Sequence, residues 1–340
     1  MGLSIVPASA PPHSLIGQSL AMAELRARVP KLARSSVPLL ILGETGTGKE
    51  VFAEAVVQAG RWSPFVRVNC AALPETIVDG ELFGYEKGAF TGAVRSHAGL
   101  IAQANGGVLF LDELAELPLS VQAKLLRTFD SGEYRALGSA RTQRSSFRLM
   151  LATNGDIDQM VAGQKMRADF VHRLGGLRVT LPPLRARMED LPQLVRYFLA
   201  HCCQRDPDSP SRMAEDAMPL LFAHGWPGNI RELRNVVKAA AALAVGNGRI
   251  ERTHVLQVLV QQPAMAAAPN GSGAQLTLAE ATRQTEEQVI RQALLASGGI
   301  RELAAQRLGI SPATLYRKLA RFDAGTRTPE SPADDSPLAA

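Results

Sequence analysis

The stretch "LLILGETGTGKE", residues 39–50, limits what this chain can fold into more than any other. An apolar run gives way to Gly43, Gly46, Gly48 and Lys49, and then to the helix-like "VFAEAVVQA". Glycines allow backbone N–H groups to turn inward around an anion, a helix N-terminus favours negative charge, and a lysine at this position reaches further phosphate oxygens. This is the setting of a P-loop, and it demands strand, tight loop and helix in that order. Glu50 departs from the strict pattern, which places Ser or Thr after the lysine to touch Mg2+. A second element, "GGVLFLDEL", delivers Asp112 and Glu113 at the end of an unbroken hydrophobic strand. In this Walker B arrangement Asp112 holds Mg2+ through water and Glu113 polarises an attacking water. Taken singly, a glycine-rich turn opening a helix and a solvated carboxylate pair are plainer readings; the two motifs in one chain disfavour both. A third run, "FRLMLATN", ends at Thr153 and Asn154, polar groups placed to orient the water or read the γ-phosphate. Such residues at strand ends are also ordinary turn-formers.

Strand-like runs ("VPLLILG", "GGVLFLDE", "FRLMLATN", "LRVTLPP") alternate with helix-like stretches over residues 17–205, which predicts an α/β fold with a parallel sheet sandwiched by helices. Before it, residues 1–16 form a Pro/Ser/Ala leader. From 206 to 262 the pattern turns wholly helical, broken at "HGWPGN" and "GNGR", and predicts a small helical lid subdomain. Residues 263–275 read as a linker, 276–322 as an all-α DNA-binding domain, and 323–340 as a disordered tail. The chain of 340 residues has only three cysteines, two of them adjacent, so neither a disulfide framework nor a zinc site is predicted. No signal-like leader and no membrane-length apolar run is present, and the expected location is cytoplasmic with no membrane partner.

One further segment fits no packing period. "ELFGYEKGAFTGAVRS", 81–96, places Phe90 between glycines and small residues. Its core, "GAFTGA", together with the motifs above, resembles the AAA+ ATPase domain of bacterial enhancer-binding proteins, the activators of sigma-54 RNA polymerase holoenzyme. The resemblance covers about residues 15–262 and the C-terminal helix-turn-helix. In that family the loop normally carries glutamate after its lysine, so Glu50 matches the family form. The resemblance implies ATP and Mg2+ as cofactors, with Gly43, Glu44, Thr45, Gly46, Thr47, Gly48, Lys49 and Glu50 as the nucleotide loop, Asp112 on the metal and Glu113 activating water. It implies that Asn69 in "VNCAAL" restrains the catalytic glutamate, and that Thr153 and Asn154 form a first sensor. Arg167 and Arg173 become arginine fingers acting in trans, a role suited to a planar guanidinium facing charge spread over phosphoryl oxygens. Arg231, in "WPGNIRELRN", becomes a second sensor facing the γ-phosphate. Gly88, Ala89, Phe90, Thr91, Gly92 and Ala93 become the sigma-54 contact, raised and lowered by hydrolysis.

At the other end "ELAAQRLGISPATLYRKLARF", 302–322, spaces its apolar residues as two short helices about Gly309, with Ser311 as cap and Pro312 in the first turn of the second helix. Ser311, Thr314, Tyr316, Arg317, Lys318 and Arg321 are the candidate DNA-binding residues. Residues 276–322 hold seven Lys or Arg against four Glu, which supports an anionic partner, although a helical hairpin with a solvated basic face is the plainer reading. The segment resembles the Fis-type module of the same family, with Ile300 and Pro312 where Asn and Arg are expected. Residues 277–296 are a candidate dimerisation helix. The implied partners are double-stranded DNA at an upstream activating site, sigma-54 holoenzyme, and further copies of the chain, from dimer to hexameric ring. Most family members carry an N-terminal regulatory domain; the short leader here resembles the subgroup without one, restrained by a separate inhibitory protein or by expression level. Two rival functions share parts of the pattern: an AAA+ ATPase acting on replication or repair proteins, and a DNA-binding repressor with a vestigial ATPase. Neither accounts for "GAFTGA" together with intact catalytic motifs.

Overall fold

The computed structural model describes residues 15–174, 176–205, 209–210, 212–246, 248–261, 290, 301–315 and 317–318. The leader, the linker, most of the candidate dimerisation helix, Tyr316, Arg321 and the tail lie outside the described residues. Two compact units are present, Met1–Ala267 and Ala268–Ala340.

In the first unit five strands form one parallel sheet. They are β1 (Leu39–Leu42), β2 (Phe65–Asn69), β3 (Val108–Asp112), β6 (Arg148–Thr153) and β7 (Leu177–Thr180), in the order β2-β3-β6-β1-β7. The two remaining strands before β6, β4 (Glu133–Tyr134) and β5 (Gln143–Arg144), make a separate antiparallel hairpin. Successive side chains on a strand point to opposite faces, and the sheet sorts its residues accordingly. Leu40, Leu109, Leu111, Leu149 and Leu151 fall in one core, while Leu39, Ile41, Val108, Phe110, Met150 and Ala152 fall in the other. Both faces are thus covered, as the unbroken apolar runs require. Helices α1 (Leu20–Ala33) and α2 (Lys49–Gly60) cover the second face; α3 (Glu75–Phe83), α4 (Gly99–Gln103) and α5 (Leu119–Ser131) cover the first. Each fully buried aliphatic side chain contributes about 1.5–3 kcal/mol from apolar burial.

Register brings the polar ends of the strands together. Leu42 is paired with Thr153 and with Thr180, and Asn69 with Asp112. The nucleotide loop, Asn69, Asp112 and Thr153 therefore share the carboxyl edge of the sheet, where ligands of open α/β sheets bind.

A separate core belongs to the lid. α8 (Leu191–Arg205), α9 (Met218–Ala223), α10 (Asn229–Leu243) and α11 (Arg252–Gln261) surround Trp226, which is fully buried and donates its indole N–H to the Leu221 carbonyl at 2.8 Å. Leu184, Leu191, Leu194, Val195 and Phe198 pack into this core. The division between sheet and lid cores therefore falls before Leu184, earlier than the 205/206 boundary suggested by composition. The reason is that α8 turns its apolar stripe toward α10 and not toward the sheet.

In the second unit α12 (Arg301–Arg307) is followed by a turn in which Gly309 has φ 66°. A helical turn follows over 312–315. Ile290, Ala305 and Leu315 form its small core, with Leu308 and Ile310 against it. Ser311 caps the second helix: its hydroxyl accepts from the Thr314 N–H at 3.2 Å, and its carbonyl accepts from Leu315 N–H at 3.1 Å.

Candidate active site

Between β1 and α2 the chain bends through three left-handed glycines, Gly43 (φ 155°), Gly46 (φ 81°) and Gly48 (φ 101°). A side chain at Gly46 has no room, because an added Cβ would lie 2.3 Å from the Gly228 carbonyl oxygen. Gly48 stands at the N-cap of α2 and offers no side-chain acceptor, so the helix opens with its first N–H groups unclaimed by a cap. Lys49 is only 6% exposed, and its Nζ donates to the carbonyls of Gly43 at 2.9 Å and Glu44 at 3.3 Å. The ammonium is thereby held over the loop's concave side. Burial lowers the Lys49 pKa, opposed by the nearby carboxylates of Glu113 and Asp112, while Arg231 pushes in the same direction as burial.

That electrostatic set shows which predicted residues the fold assembles. Lys49, Asp112, Glu113 and Arg231 act on one another, though they come from a loop, a strand end and a lid helix. Glu113 follows the strand in a left-handed conformation, φ 53° and ψ 54°, an uncommon state for a residue with a side chain. Its own N–H donates to Asp112 Oδ1 at 3.0 Å, which fixes the Asp112 carboxylate. Burial raises the Glu113 pKa, Lys49 lowers it and Asp112 raises it again. A carboxyl held toward neutrality beside an ammonium is the environment of a tuned general base. The thiol of Cys70, buried near the same pair, is pushed up to about 12 by burial first and by Asp112 and Glu113 next.

Thr153 is completely buried; its hydroxyl accepts from the Gly155 N–H at 3.2 Å, and its carbonyl accepts from the Gly43 N–H at 3.3 Å. Asn154 Nδ2 donates to the Thr45 hydroxyl at 3.0 Å, so the end of β6 is joined to the loop. Thr47 uses its hydroxyl within the loop, donating to the Glu44 carbonyl at 2.8 Å. Glu50 points away, into an ion pair with Arg67 at 3.0 Å.

The side chains of other candidates are engaged with different partners. Asn69 Oδ1 accepts from the Ala71 N–H at 3.0 Å, capping a short 3-10 turn; its side chain is engaged there and not with Glu113. Arg167 pairs with Asp169 at 2.7 Å, and Arg173 with Asp130 at 2.5 Å; both pairs are solvent-exposed. In the 88–93 segment the Gly88 N–H donates to the Ala93 carbonyl at 2.9 Å, closing a compact turn with Phe90 and Thr91 on its outside. Phe90 is 47% exposed and rests edge-on against Tyr85, ring centroids 5.0 Å apart. The aromatic tip is thus half-seated, not wholly free. Gly92 (φ 103°) and Gly88 (φ 87°) face open space, while Ala93 is buried. In the second unit the Ser311 and Thr314 hydroxyls lie 2.8 Å apart and bond each other at the cap; Arg317 is exposed and Lys318 partly so.

Sequence reasoning missed the residues that tie the loop to the lid. Arg185 Nη1 donates to Glu44 Oε2 at 2.7 Å and its Nη2 to Oε1; Asn229, fully buried, donates to the same carboxylate and to the Thr45 carbonyl, each at 3.1 Å. Ile230 N–H donates to the Gly46 carbonyl at 3.0 Å, and Arg187, buried, to the Thr47 carbonyl at 3.0 Å. "LRAR" and "GNIR" carry these donors, and nothing in their spacing relative to the loop signals the contact.

A glycine-rich loop, paired strand-end carboxylates and a lid on one parallel sheet define an AAA+ fold; the lid is helical except for one short parallel pair, Arg212–Met213 with Arg249–Ile250, where the sequence pattern predicted helices alone. Residues 15–180 match the family model for the sigma-54 interaction domain, 185–271 that for the AAA+ ATPase lid domain, and 281–322 that for the Fis family of bacterial regulatory proteins. The transcriptional regulatory protein ZraR of Klebsiella oxytoca is 40% identical over 90% of this chain and 68% of its own length. The regulatory protein AtoC of Escherichia coli is 39% identical over 91% of this chain and 67% of its own. Among solved structures, NtrX of Brucella abortus in complex with ATP superposes with a TM-score of 0.68 at 30% identity, covering 91% of this chain and 70% of that one. The chain spans about half to two-thirds of the length of the curated relatives it matches. The chain belongs to the family of sigma-54-dependent transcriptional regulators. Among the described residues, no helix is long and apolar enough to cross a membrane.

Proposed function

We propose that this protein hydrolyses ATP and uses the cycle to remodel sigma-54 RNA polymerase holoenzyme bound at a promoter, driving open-complex formation from an upstream DNA site. The observation that carries this reading is the coexistence of an assembled Lys49–Asp112–Glu113–Arg231 set with an exposed "GAFTGA" turn in one unit. NtrX, a relative of the same architecture, was solved with ATP bound. The residues here fit the nucleotide: Gly46 leaves no room for a side chain, the start of α2 is uncapped, and Lys49 occupies carbonyls that a phosphate can replace.

In this reading the backbone N–H groups of the 43–50 loop wrap the phosphates, and Lys49 leaves its carbonyls for the β and γ oxygens. Asp112 would hold Mg2+, which would supply charge neutralisation on the phosphates. Glu113 accepts a proton from the attacking water, Thr153 and Asn154 position that water, and Arg231 senses the γ-phosphate from the lid. Asn69 restrains Glu113 after leaving its cap. Arg167 and Arg173 leave Asp169 and Asp130 to enter a neighbour's site, which makes turnover depend on a ring, with a hexamer as the expected form. Both are solvent-exposed pairs, screened by water, so exchange of partners costs little. Gly88 to Ala93 meet sigma-54, with Phe90 and Thr91 as contacts. Ser311, Thr314, Tyr316, Arg317, Lys318 and Arg321 face DNA, where cationic groups meet phosphates. Restraint by an inhibitory protein acting in trans completes the proposal.

The decisive experiment is transcription in vitro with sigma-54 holoenzyme on a supercoiled template. Open complexes are expected with ATP and absent with a non-hydrolysable analogue; equal opening with both would defeat the reading.

A further inference from the structure

Three consecutive carbonyls of the nucleotide loop, those of Thr45, Gly46 and Thr47, are each taken by a donor from outside the sheet: Asn229 Nδ2, Ile230 N–H and Arg187 Nη2. The loop side chain next to them, Glu44, turns the same way. Its carboxylate receives both terminal nitrogens of Arg185, from the 3-10 turn leading into the lid, and Nδ2 of Asn229, the first residue of α10. Asn229 is fully buried and completes the arrangement by accepting the Leu184 N–H on its Oδ1 at 2.8 Å. One face of the loop is thus open to phosphate through N–H groups, and the opposite face is sewn to the lid. Arg231 stands two residues beyond Asn229, its Cβ 3.0 Å from where a Gly46 Cβ would lie. The angle of the lid sets where that guanidinium points.

We infer that Glu44 is a positioning residue and not a nucleotide contact: with Arg185 and Asn229 it latches the lid to the loop, so that Arg231 is aligned and nucleotide state is transmitted to lid position. This rests on the ATPase reading above. A bidentate, charge-assisted pair has the directional strength such a latch needs. Consistent with it, the Arg185 hydrogen bonds hold the Glu44 carboxyl below the usual carboxylate range.

The test uses the full chain with two conservative variants, Glu44→Gln and Arg185→Gln, and their double. Both side chains lie at the surface of the contact, so the fold is expected to survive, and unchanged far-UV circular dichroism checks this. Hydrogen exchange of the 226–233 segment reports the Ile230 N–H bond directly, without any need for turnover. Expected is an acceleration of about tenfold there in either single variant, no spread to the β3 and β6 amides, and no further change in the double. ATP turnover should fall in kcat while the Kd of a fluorescent ATP analogue shifts by less than about twofold. Loss of analogue affinity in Glu44→Gln alone, with lid exchange unchanged, would make Glu44 a nucleotide contact and overturn the latch. Acceleration throughout the sheet would overturn it too, as a general structural role. Absence of turnover in the unmodified protein would remove the ATPase reading, yet the exchange difference would still decide the latch.

Discussion

Two glycine-rich segments in this molecule share a composition and differ in almost everything else. The loop at 43–48 is packed on its lid side, with carbonyls tied to the lid and no room for a Cβ at Gly46. The turn at 88–93 meets itself and little more: an added Cβ at Gly88 or Gly92 encounters nothing within 4 Å, Val94 is 79% exposed, and Phe90 leans on Tyr85 alone among aromatic neighbours. Left-handed glycine is needed in both. In the first it allows close approach of another backbone; in the second it allows a reversal whose glycine positions face open space. A site that stabilises charge must be preorganised, because donors already in place need no reorganisation during the reaction. A surface that grips a partner must keep apolar groups accessible, and an exposed aromatic beside small residues does so.

The largest effects should come from the packed segment. Glu113→Gln is expected to lower ATP turnover by about 10²–10⁴-fold, the usual worth of a general base, while analogue binding is retained. Lys49→Ala should lose binding as well, since its ammonium is the buried charge over the loop. Turnover in Glu113→Gln within tenfold of the unmodified protein would take Glu113 out of the chemistry. In the bare segment the pattern should invert. Phe90→Ala and Thr91→Ala are expected to abolish promoter opening and leave ATP turnover within about twofold, because the Tyr85–Phe90 contact adds only about 0.5–1.5 kcal/mol to the fold. Open-complex assays run beside ATPase assays on the same preparations measure both.

Much of this contrast is legible in the sequence, and the limits are physical. The strand, loop and helix of residues 39–60 and the strand before Asp112 follow from apolar runs and glycine placement, because local chemistry dictates both. Ser311 as a cap and Gly309 at the turn follow for the same reason. The lid boundary does not: α8 reads like one more helix of the sheet domain, and only its packing against α10 assigns it to the lid. Glu44 reads as one of the loop's polar residues; its partners Arg185 and Asn229 lie 141 and 185 residues away. Contacts of such separation depend on which face a helix turns inward, and no spacing rule carries that information.

Glycine substitution sharpens the comparison at intermediate effect. Gly88→Ala and Gly46→Ala both force a side chain into a left-handed backbone, at about 1–2 kcal/mol each. Only Gly46→Ala adds a clash, with the Gly228 carbonyl. Thermal unfolding should therefore show a clearly larger loss for Gly46→Ala, accompanied by weaker analogue binding. Equal losses at the two positions would mean that the lid yields to the loop, and the packed-versus-bare distinction would weaken.

The smallest effect tests the cost of preorganisation itself. Burial raises the Glu113 pKa in the folded chain above its unfolded value, so ionised Glu113 is held at the expense of stability. For a carboxyl with a raised folded pKa, the favourable contribution is full below the unfolded pKa and is lost as pH rises through the folded one. Above the folded pKa the protein therefore carries the whole penalty of keeping this carboxylate charged, and between the two pKa values a growing part of it. Glu113→Gln removes the charge and keeps the shape, so the variant that has lost catalysis should melt slightly higher at pH 7 than the unmodified protein. Below the ordinary carboxylate range the glutamate is neutral in both states, and the advantage should vanish. Melting curves of the two proteins across acid to neutral pH measure this directly. A Glu113→Gln protein less stable at pH 7 would show that Lys49 more than offsets the burial, and that the strand-end carboxylate is stabilised in place and not strained toward its proton-accepting task.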